Sequence, residues 1–169
     1  MKIFLIGLPG SGKSTVGVAL AHHLAMDFID LDHEIETQEG ARVPEIFSKK
    51  GEDYFRAAEA ELLRKWAASP GHFVMSTGGG TPCFFGGMDV INQNGVSIFL
   101  DEPVEVIIER LANNTHRPLL ASDNAVDMRI KLEKLRDLRL PTYEKATISI
   151  QSPTLEKILK RLDQLGIRS

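Results

Sequence analysis

The stretch Gly7-Leu8-Pro9-Gly10-Ser11-Gly12-Lys13-Ser14-Thr15 decides the fold. It matches the pattern G-x-x-x-x-G-K-[ST], in which backbone N–H groups converge on phosphate oxygens. The apolar run KIFLI precedes it and the helical pattern TVGVALAHHLA follows, which is the strand–loop–helix context that the motif requires. We expect Lys13 to reach the β- and γ-phosphates of ATP or GTP and Ser14 to ligate Mg²⁺. The other residues expected at the phosphates are Gly10, Ser11, Gly12 and Thr15.

Short apolar runs alternate with longer amphipathic segments along the rest of the chain. The runs of strand length cover 2–6, 28–30, 72–76, 96–100 and 146–150. The helical patterns cover 13–25, 32–40, 44–67, 103–112, about 125–139 and 154–165. Consecutive apolar residues are typical of strands buried on both faces, so this alternation predicts an α/β fold with a parallel sheet between helices. With 169 residues, we expect a single domain over 1–169.

Composition and charge exclude several classes of partner. The formal net charge of −3 gives no reason to expect a nucleic acid or an anionic membrane surface. No run approaches the ~18 apolar residues of a membrane helix. Cys83 is the one cysteine, which rules out an internal disulfide and favours a reducing, cytoplasmic setting. We interpret Cys83 as a small buried hydrophobic side chain, with a reactive thiol as the alternative.

Two carboxylates lie at the end of the second predicted strand, in FIDLD (28–32). Strand alternation would put Asp30 and Asp32 on one side, at the strand end where open α/β sheets bind ligands. One carboxylate could support Mg²⁺, and the other could accept a proton from an attacking hydroxyl. An alternative for Asp32 is a capping role at the start of the following helix.

The arginines allow both functional and structural interpretations. Arg56 and Glu59 have the i,i+3 spacing of a helix-face pair, which fits either a surface ion pair or an arginine aimed into a cleft. Arg117 lies in the irregular segment 112–124, which we interpret as a lid, or else as a surface connection. Charge pattern alone would leave Arg110 and Arg139 as solvated helix residues.

Taken together, these stretches resemble the shikimate kinases, within the nucleoside-monophosphate-kinase-like P-loop group. The resemblance covers nearly the whole chain and rests on GLPGSGKST, FIDLD, FRAAEAELL, STGGG, RPLL and RLPTYEKA, in this order. It implies a three-layer α/β/α P-loop fold with a five-stranded parallel sheet of order 2-3-1-4-5. It also implies transfer of the γ-phosphoryl of ATP to the 3-hydroxyl of shikimate, a step toward chorismate and the aromatic amino acids.

The resemblance assigns roles on both sides of the reaction. On the nucleotide side, Lys13 and the loop amides hold phosphate, Ser14 and Asp30 serve Mg²⁺, and Arg117 is the lid arginine. Arg110 and Pro153 would flank adenine. On the acceptor side, the substrate segment is about 31–60, and Asp32 contacts the shikimate hydroxyls as the candidate base. The remaining acceptor residues are Arg56 and Arg139, which clamp the carboxylate, Glu59 beside Arg56, and Gly78, Gly79 and Gly80 against the ring.

The triple glycine therefore faces a different ligand from the first glycine loop. It follows another strand and lacks the Lys and Ser/Thr that follow Gly12. The segment after it, TPCFFGG (81–87), is less typical of the family, and its effect on substrate contacts stays open. We expect a cytoplasmic monomer that binds shikimate and ATP.

Three alternatives differ in ligand or in class. Gluconate kinase has a similar P-loop and size, but FIDLD, the Arg56–Glu59 pair and the triple glycine favour shikimate. A nucleotide-binding module without chemistry is disfavoured by Asp32 and Arg117. A GTPase is disfavoured because the chain has no N-K-x-D guanine motif.

Overall fold

The computed structural model describes residues 1–113 and 125–167. Its five strands form one parallel sheet in the order β2-β3-β1-β4-β5, which confirms the predicted fold and strand order. The strands are β1 (Lys2–Ile6), β2 (Asp27–Asp30), β3 (Phe73–Ser76), β4 (Val96–Asp101) and β5 (Ile148–Gln151). Each lies within about two residues of a predicted apolar run.

The described helices surround this sheet. They are α1 (Lys13–His23), α2 (Leu31–Glu39), α3 (Val43–Lys50), α4 (Glu52–Ala68), α5 (Gly87–Asn94), α6 (Val104–Ala112), α7 (Ala125–Tyr143) and α8 (Leu155–Gln164). A short 3₁₀ turn covers Thr81–Cys83. No helix in the described parts of the chain is long and apolar enough to cross a membrane.

Two helix predictions need correction, and one helix was not predicted. The single helix predicted over 44–67 is two helices, because Gly51 lies between them with φ of +84° and ends α3. Helix α5 was missed, since its short apolar pattern follows a glycine-rich stretch. Helix α7 passes through Pro141 and ends at Tyr143 rather than near 139. Pro141 lies in the last turn, where the missing N–H removes at most one helical hydrogen bond.

Alternating residues of the strands build two apolar cores. Ile3 and Leu5 of β1 face the layer of α1 and α8, where they pack with Leu20 and Ile158. The opposite face of the sheet packs against α2 to α7, and Phe4 is part of that larger core. Both faces of the central strand are buried, which explains its unbroken apolar sequence.

The topology brings the chemical residues to one edge. The strand order reverses on either side of β1, so the carboxyl ends of β1 and its neighbours border a crevice. In register, Asp30 of β2 lies beside Ser76 of β3, and Ser76 lies beside Leu5 of β1. The phosphate-loop motif follows β1 at this same edge.

Candidate active site

The phosphate loop has a backbone that requires glycine. Gly10 and Gly12 have φ of +80° and +91°, a region that other residues rarely adopt. Gly12 caps α1 with no side-chain hydrogen bond, and the first turn of that helix carries no acidic residue. The N–H groups and the positive dipole end of α1 therefore point into the loop without a competing anion, which suits phosphate binding.

Lys13 stabilises the phosphate loop through hydrogen bonds to its backbone. Its buried ammonium donates hydrogen bonds to the carbonyl oxygens of Gly7 (2.8 Å) and Leu8 (2.9 Å). Ser11 is also buried, and its Oγ has no hydrogen-bond partner within the described residues. A buried hydroxyl without a partner is costly unless a ligand satisfies it, and a phosphate oxygen in this loop would do so.

Three oxygen-bearing side chains meet where α1 begins. The Ser14 hydroxyl donates to Oδ2 of Asp30 at 2.8 Å and lies 3.2 Å from the Ser76 hydroxyl. Hydroxyl and carboxylate oxygens are the hard ligands that Mg²⁺ prefers, and Mg²⁺ usually completes its shell with waters and phosphates. These residues therefore fit the ion. Among the described residues, no three His, Cys, Asp or Glu side chains are arranged so that they could hold a metal ion by themselves.

The two aspartates of FIDLD occupy different elements. Asp30 ends β2 and caps α2, because its Oδ1 accepts a hydrogen bond from the His33 N–H at 3.2 Å. The capping role considered for Asp32 thus belongs to Asp30. Asp32 lies in the first turn of α2 instead of continuing the strand, so helix geometry rather than strand alternation places it.

Asp32 has the electrostatics of a base. Burial, with Asp30 and Glu59 nearby, raises the pKa of the Asp32 carboxyl from 3.8 to about 6, although Lys13 opposes the shift. A carboxylate with a pKa near the working pH can accept a proton and still be ionised beforehand. Asp32 also lies against the triple glycine, since a Cβ on Gly78 would lie 3.0 Å from its Oδ1.

The pair Arg56–Glu59 lies inside the protein, which decides against a surface ion pair. Both residues are buried, and Nη1 of Arg56 donates to Oε1 of Glu59 at 3.0 Å. The other oxygen of Glu59 accepts a hydrogen bond from Thr81 at 2.8 Å, so the 3₁₀ turn holds the carboxylate that orients the arginine. Nε of Arg56 lies 3.4 Å from Glu52.

Each glycine of the triple run makes room for a charged side chain. A Cβ on Gly79 would lie 2.8 Å from Nη1 of Arg139, and one on Gly80 would lie 2.6 Å from Cζ of Arg56. None of the three has a positive φ, so space rather than backbone conformation requires glycine here. The run brings the two arginines and Asp32 around one small region.

Arg139 presents a buried donor to this region. Its Nη1 has no hydrogen-bond partner within the described residues, and Ser11 Oγ is the one other such buried side-chain atom there. Both atoms lie in predicted ligand sites, one for phosphate and one for the acceptor. Cys83 is half-buried beside this site, and burial raises the pKa of its thiol, which fits a neutral packing residue.

Arg110 and Pro153 lie at the nucleotide side of the same edge. Arg110 donates from Nη1 to the Gly10 carbonyl oxygen at 3.2 Å and from Nη2 to Glu102 at 3.1 Å. Pro153 follows β5 at its carboxyl end. Arg117 and the rest of the predicted lid beyond Asn113 lie outside the described residues.

Sequence reasoning missed several residues of the site. Ser76 is polar and ends a buried strand, so the rule that singled out Asp30 could have found it. Glu102 is buried and pairs with Arg110, but no spacing rule links the two positions. Thr81 and Tyr143 act through folded contacts with Glu59 and Gly79, which the sequence does not signal.

Fold and site together define a P-loop kinase of the small-molecule class. A protein-family model described as shikimate kinase matches residues 9–164. The shikimate kinase of Persephonella marina is 38% identical over 162 residues, covering 93% of this chain and 98% of the relative. The chain therefore belongs to the shikimate kinase family.

Solved structures agree with this membership. The shikimate kinase from Acinetobacter baumannii in complex with shikimate has a TM-score of 0.88 and 34% identity. The match covers 99% of this chain and 95% of that one. A gluconokinase from Sinorhizobium meliloti has a TM-score of 0.62 at 20% identity, covering 97% of this chain and 92% of that one, which shows a shared fold alone.

Proposed function

We propose that this protein phosphorylates shikimate with ATP, giving shikimate 3-phosphate and ADP, in the biosynthesis of chorismate and the aromatic amino acids. Family membership over nearly the whole chain supports the activity. The structural observation that carries the substrate assignment is the convergence of Arg56 and Arg139 on the triple glycine beside Asp32. That arrangement combines a site for one carboxylate with an acceptor for hydroxyl protons.

The proposed acceptor site matches shikimate group by group. Guanidinium groups bind a carboxylate through paired N–H donors, and the Nη1 donor of Arg139 is buried without a partner among the described residues. Glu59 orients Arg56, since one of its oxygens accepts a hydrogen bond from Arg56 and the other accepts one from Thr81, and each oxygen keeps acceptor capacity for a substrate hydroxyl. Gly78, Gly79 and Gly80 leave no side chain between these groups and the ring.

Asp32 is the proposed base. The 3-hydroxyl oxygen of shikimate attacks the γ-phosphorus, the bond from that phosphorus to the β–γ bridging oxygen breaks, and ADP leaves with the bond's electrons. Asp32 accepts the hydroxyl proton as the new oxygen–phosphorus bond forms, which its raised pKa favours. No covalent intermediate with the protein is needed.

The proposed nucleotide site lies across the crevice from the acceptor. Amides of the loop from Gly10 to Thr15 cradle phosphates, and Lys13 exchanges part of its contact with loop carbonyls for the β- and γ-phosphates. Ser14 and Asp30, with Ser76 beside them, would hold Mg²⁺. The ion neutralises charge on the phosphate oxygens when it is bound.

Several assignments rest on the resemblance more than on contacts. Arg117 is proposed to close over the phosphates from the lid, and Arg110 with Pro153 to flank adenine. The substrate segment of about 31–60, the single-domain organisation, the monomeric state and the cytoplasmic location also stay predictions.

A coupled ADP-release assay tests the function directly. The purified protein is given ATP and Mg²⁺ with shikimate, gluconate or a nucleoside monophosphate as acceptor. Of the three acceptors, we expect only shikimate to give turnover. Identification of shikimate 3-phosphate by mass and ³¹P NMR completes the assignment. Turnover with gluconate and none with shikimate would overturn it.

A further inference from the structure

The segment TPCFFGG places an aromatic ring on one of the two acceptor arginines. The Cζ atom of Arg56 lies 4.3 Å from the ring centroid of Phe84. Phe55 and Phe47 are also near, at 5.3 Å and 5.9 Å. Phe84 is thus the nearest of three rings around a guanidinium whose side chain is only 9% exposed.

The local backbone geometry directs the Phe84 ring toward the protein interior. The N–H of Cys83 donates to the Gly80 carbonyl oxygen at 2.9 Å, which ties the 3₁₀ turn to the triple glycine. Phe85 and Gly86 then have φ of +49° and +70°, and this left-handed bend reverses the chain. As a result Phe84 packs over Arg56, whereas the side chain of Phe85 is 57% exposed.

The contact leaves Arg56 free to bind in its own plane. A guanidinium on an aromatic face keeps its N–H groups directed outward at its edges. The hydrogen bonds described for Arg56 use Nε and Nη1, toward Glu52 and Glu59. Nη2 makes none among the described residues, so one edge is left for an anionic ligand.

We propose that Phe84 is a positioning residue for the acceptor: its ring fixes the plane of the Arg56 guanidinium so that the remaining N–H edge meets the substrate carboxylate. This inference rests on the proposed function, because only that function gives Arg56 a carboxylate to bind. It also assigns a purpose to the segment that we interpreted from the sequence as less typical of the family.

Steady-state kinetics of Phe84→Leu test the proposal, with Phe84→Tyr as the conservative variant. Leucine keeps an apolar side chain without a π face, so the KM for shikimate should rise about 3- to 30-fold. The KM for ATP should change less than about twofold, and tyrosine should restore the wild-type KM for shikimate. Phe85→Leu, at the exposed neighbour, is the matched control and should leave both constants unchanged.

A ligand without the carboxylate separates positioning from packing. For the carboxamide of shikimate, Phe84→Leu should weaken binding no more than Phe85→Leu does, because the charged partner of Arg56 is missing. Equal losses for acid and amide would show that Phe84 only fills space and would overturn the proposal.

Should Phe84→Leu fold poorly, trifluorophenylalanine at position 84 keeps the ring and weakens its negative face. Melting temperature then checks folding, and an unchanged KM for shikimate would contradict the proposal. Wild-type protein without activity on shikimate would overturn the proposed function and this inference together. Active wild type with an unaffected Phe84→Leu would overturn the inference alone.

Discussion

The hydroxyl of Tyr143 donates a hydrogen bond to the carbonyl oxygen of Gly79 at 2.5 Å. Tyr143 is fully buried, and burial raises the pKa of its phenol, so it remains a neutral donor. Arg139 lies four residues earlier in α7, on the same helix face. One face of α7 therefore makes two contacts with the triple glycine. Tyr143 binds its backbone, and Arg139 lies in the space that the missing side chain of Gly79 leaves open.

Tyr143→Phe should loosen this connection without opening a cavity. We expect a loss of about 1–2 kcal/mol in the free energy of unfolding, because the Gly79 carbonyl loses its buried donor. The KM for shikimate should rise while the KM for ATP stays close to wild type. Urea denaturation and steady-state kinetics measure the two effects. Tyr54→Phe, at the exposed second tyrosine, is the matched control: it removes surface hydrogen bonds with Glu39 and Lys50, so the free energy of unfolding should change by less than about 0.5 kcal/mol and neither KM should change.

Arg139→Ala should separate the two substrates. Removal of one guanidinium from a carboxylate site costs about 2–3 kcal/mol, or about 30- to 150-fold in the KM for shikimate. ATP affinity, measured by calorimetry, should stay within about threefold. Arg129→Ala on the same helix removes exposed ion pairs with Glu105 and Glu133 and should leave both substrates unaffected. A collapse of ATP affinity in Arg139→Ala would contradict the carboxylate assignment.

Gly79→Ala should damage acceptor binding first. Its Cβ would lie 2.8 Å from Arg139 Nη1 and 3.0 Å from Pro9 Cδ, so the arginine must move. We expect the KM for shikimate to rise about 10-fold or more, by the loss of a well-placed charged contact, with a smaller change for ATP. Gly71→Ala is the control for general destabilisation, since it strains a backbone φ of +123° next to open space. If both variants raised the KM for shikimate equally, steric pressure on Arg139 could not be the cause.

Whether a feature could be predicted from the sequence depends on how far apart along the chain its interacting residues lie. Apolar runs and the phosphate-loop motif are local patterns, and they correctly predicted the five strands and the parallel sheet. The i,i+3 spacing of Arg56 and Glu59 predicted their contact, but their burial depends on Thr81 and the turn that carries it. Two helix boundaries differed from the prediction. The helix predicted over 44–67 is interrupted at Gly51, whereas α7 continues through Pro141.

The roles within FIDLD show the same limit. Which aspartate caps α2 depends on whether the strand ends at Asp30 or two residues later, and alternation alone cannot fix that boundary. Arg139 was favoured as a solvated residue by charge pattern, whereas its Nη1 atom is buried against the triple glycine. That contact joins residues 60 positions apart, so only family resemblance could point to it.

Asp32→Asn should lower the activity and raise the free energy of unfolding, and the gain in stability should depend on pH. The folded protein raises the pKa of Asp32 from 3.8 to about 6, so between those values the folded state holds a proton that the unfolded chain has released. The free energy of unfolding therefore falls as pH rises through this window, and above pH 6 the ionised carboxylate costs on the order of 1–3 kcal/mol. Asparagine carries no charge, so the variant should be more stable than wild type at pH 8 but not at pH 4.

The activity of the wild-type protein should also depend on the ionisation of Asp32. It should rise with pH where the free energy of unfolding falls. Because the base must be ionised, kcat/KM for shikimate should fall as pH drops below about 6, and Asp32→Asn should lose about 10²- to 10⁴-fold in kcat with ATP affinity nearly intact. Urea denaturation at the two pH values and a pH–rate profile supply the measurements. Asp27→Asn, at the exposed opposite end of β2, is the matched control. Equal stability of Asp32→Asn and wild type at pH 8, with a pH–rate profile flat from 5 to 7, would remove Asp32 from the role of a buried, titrating base.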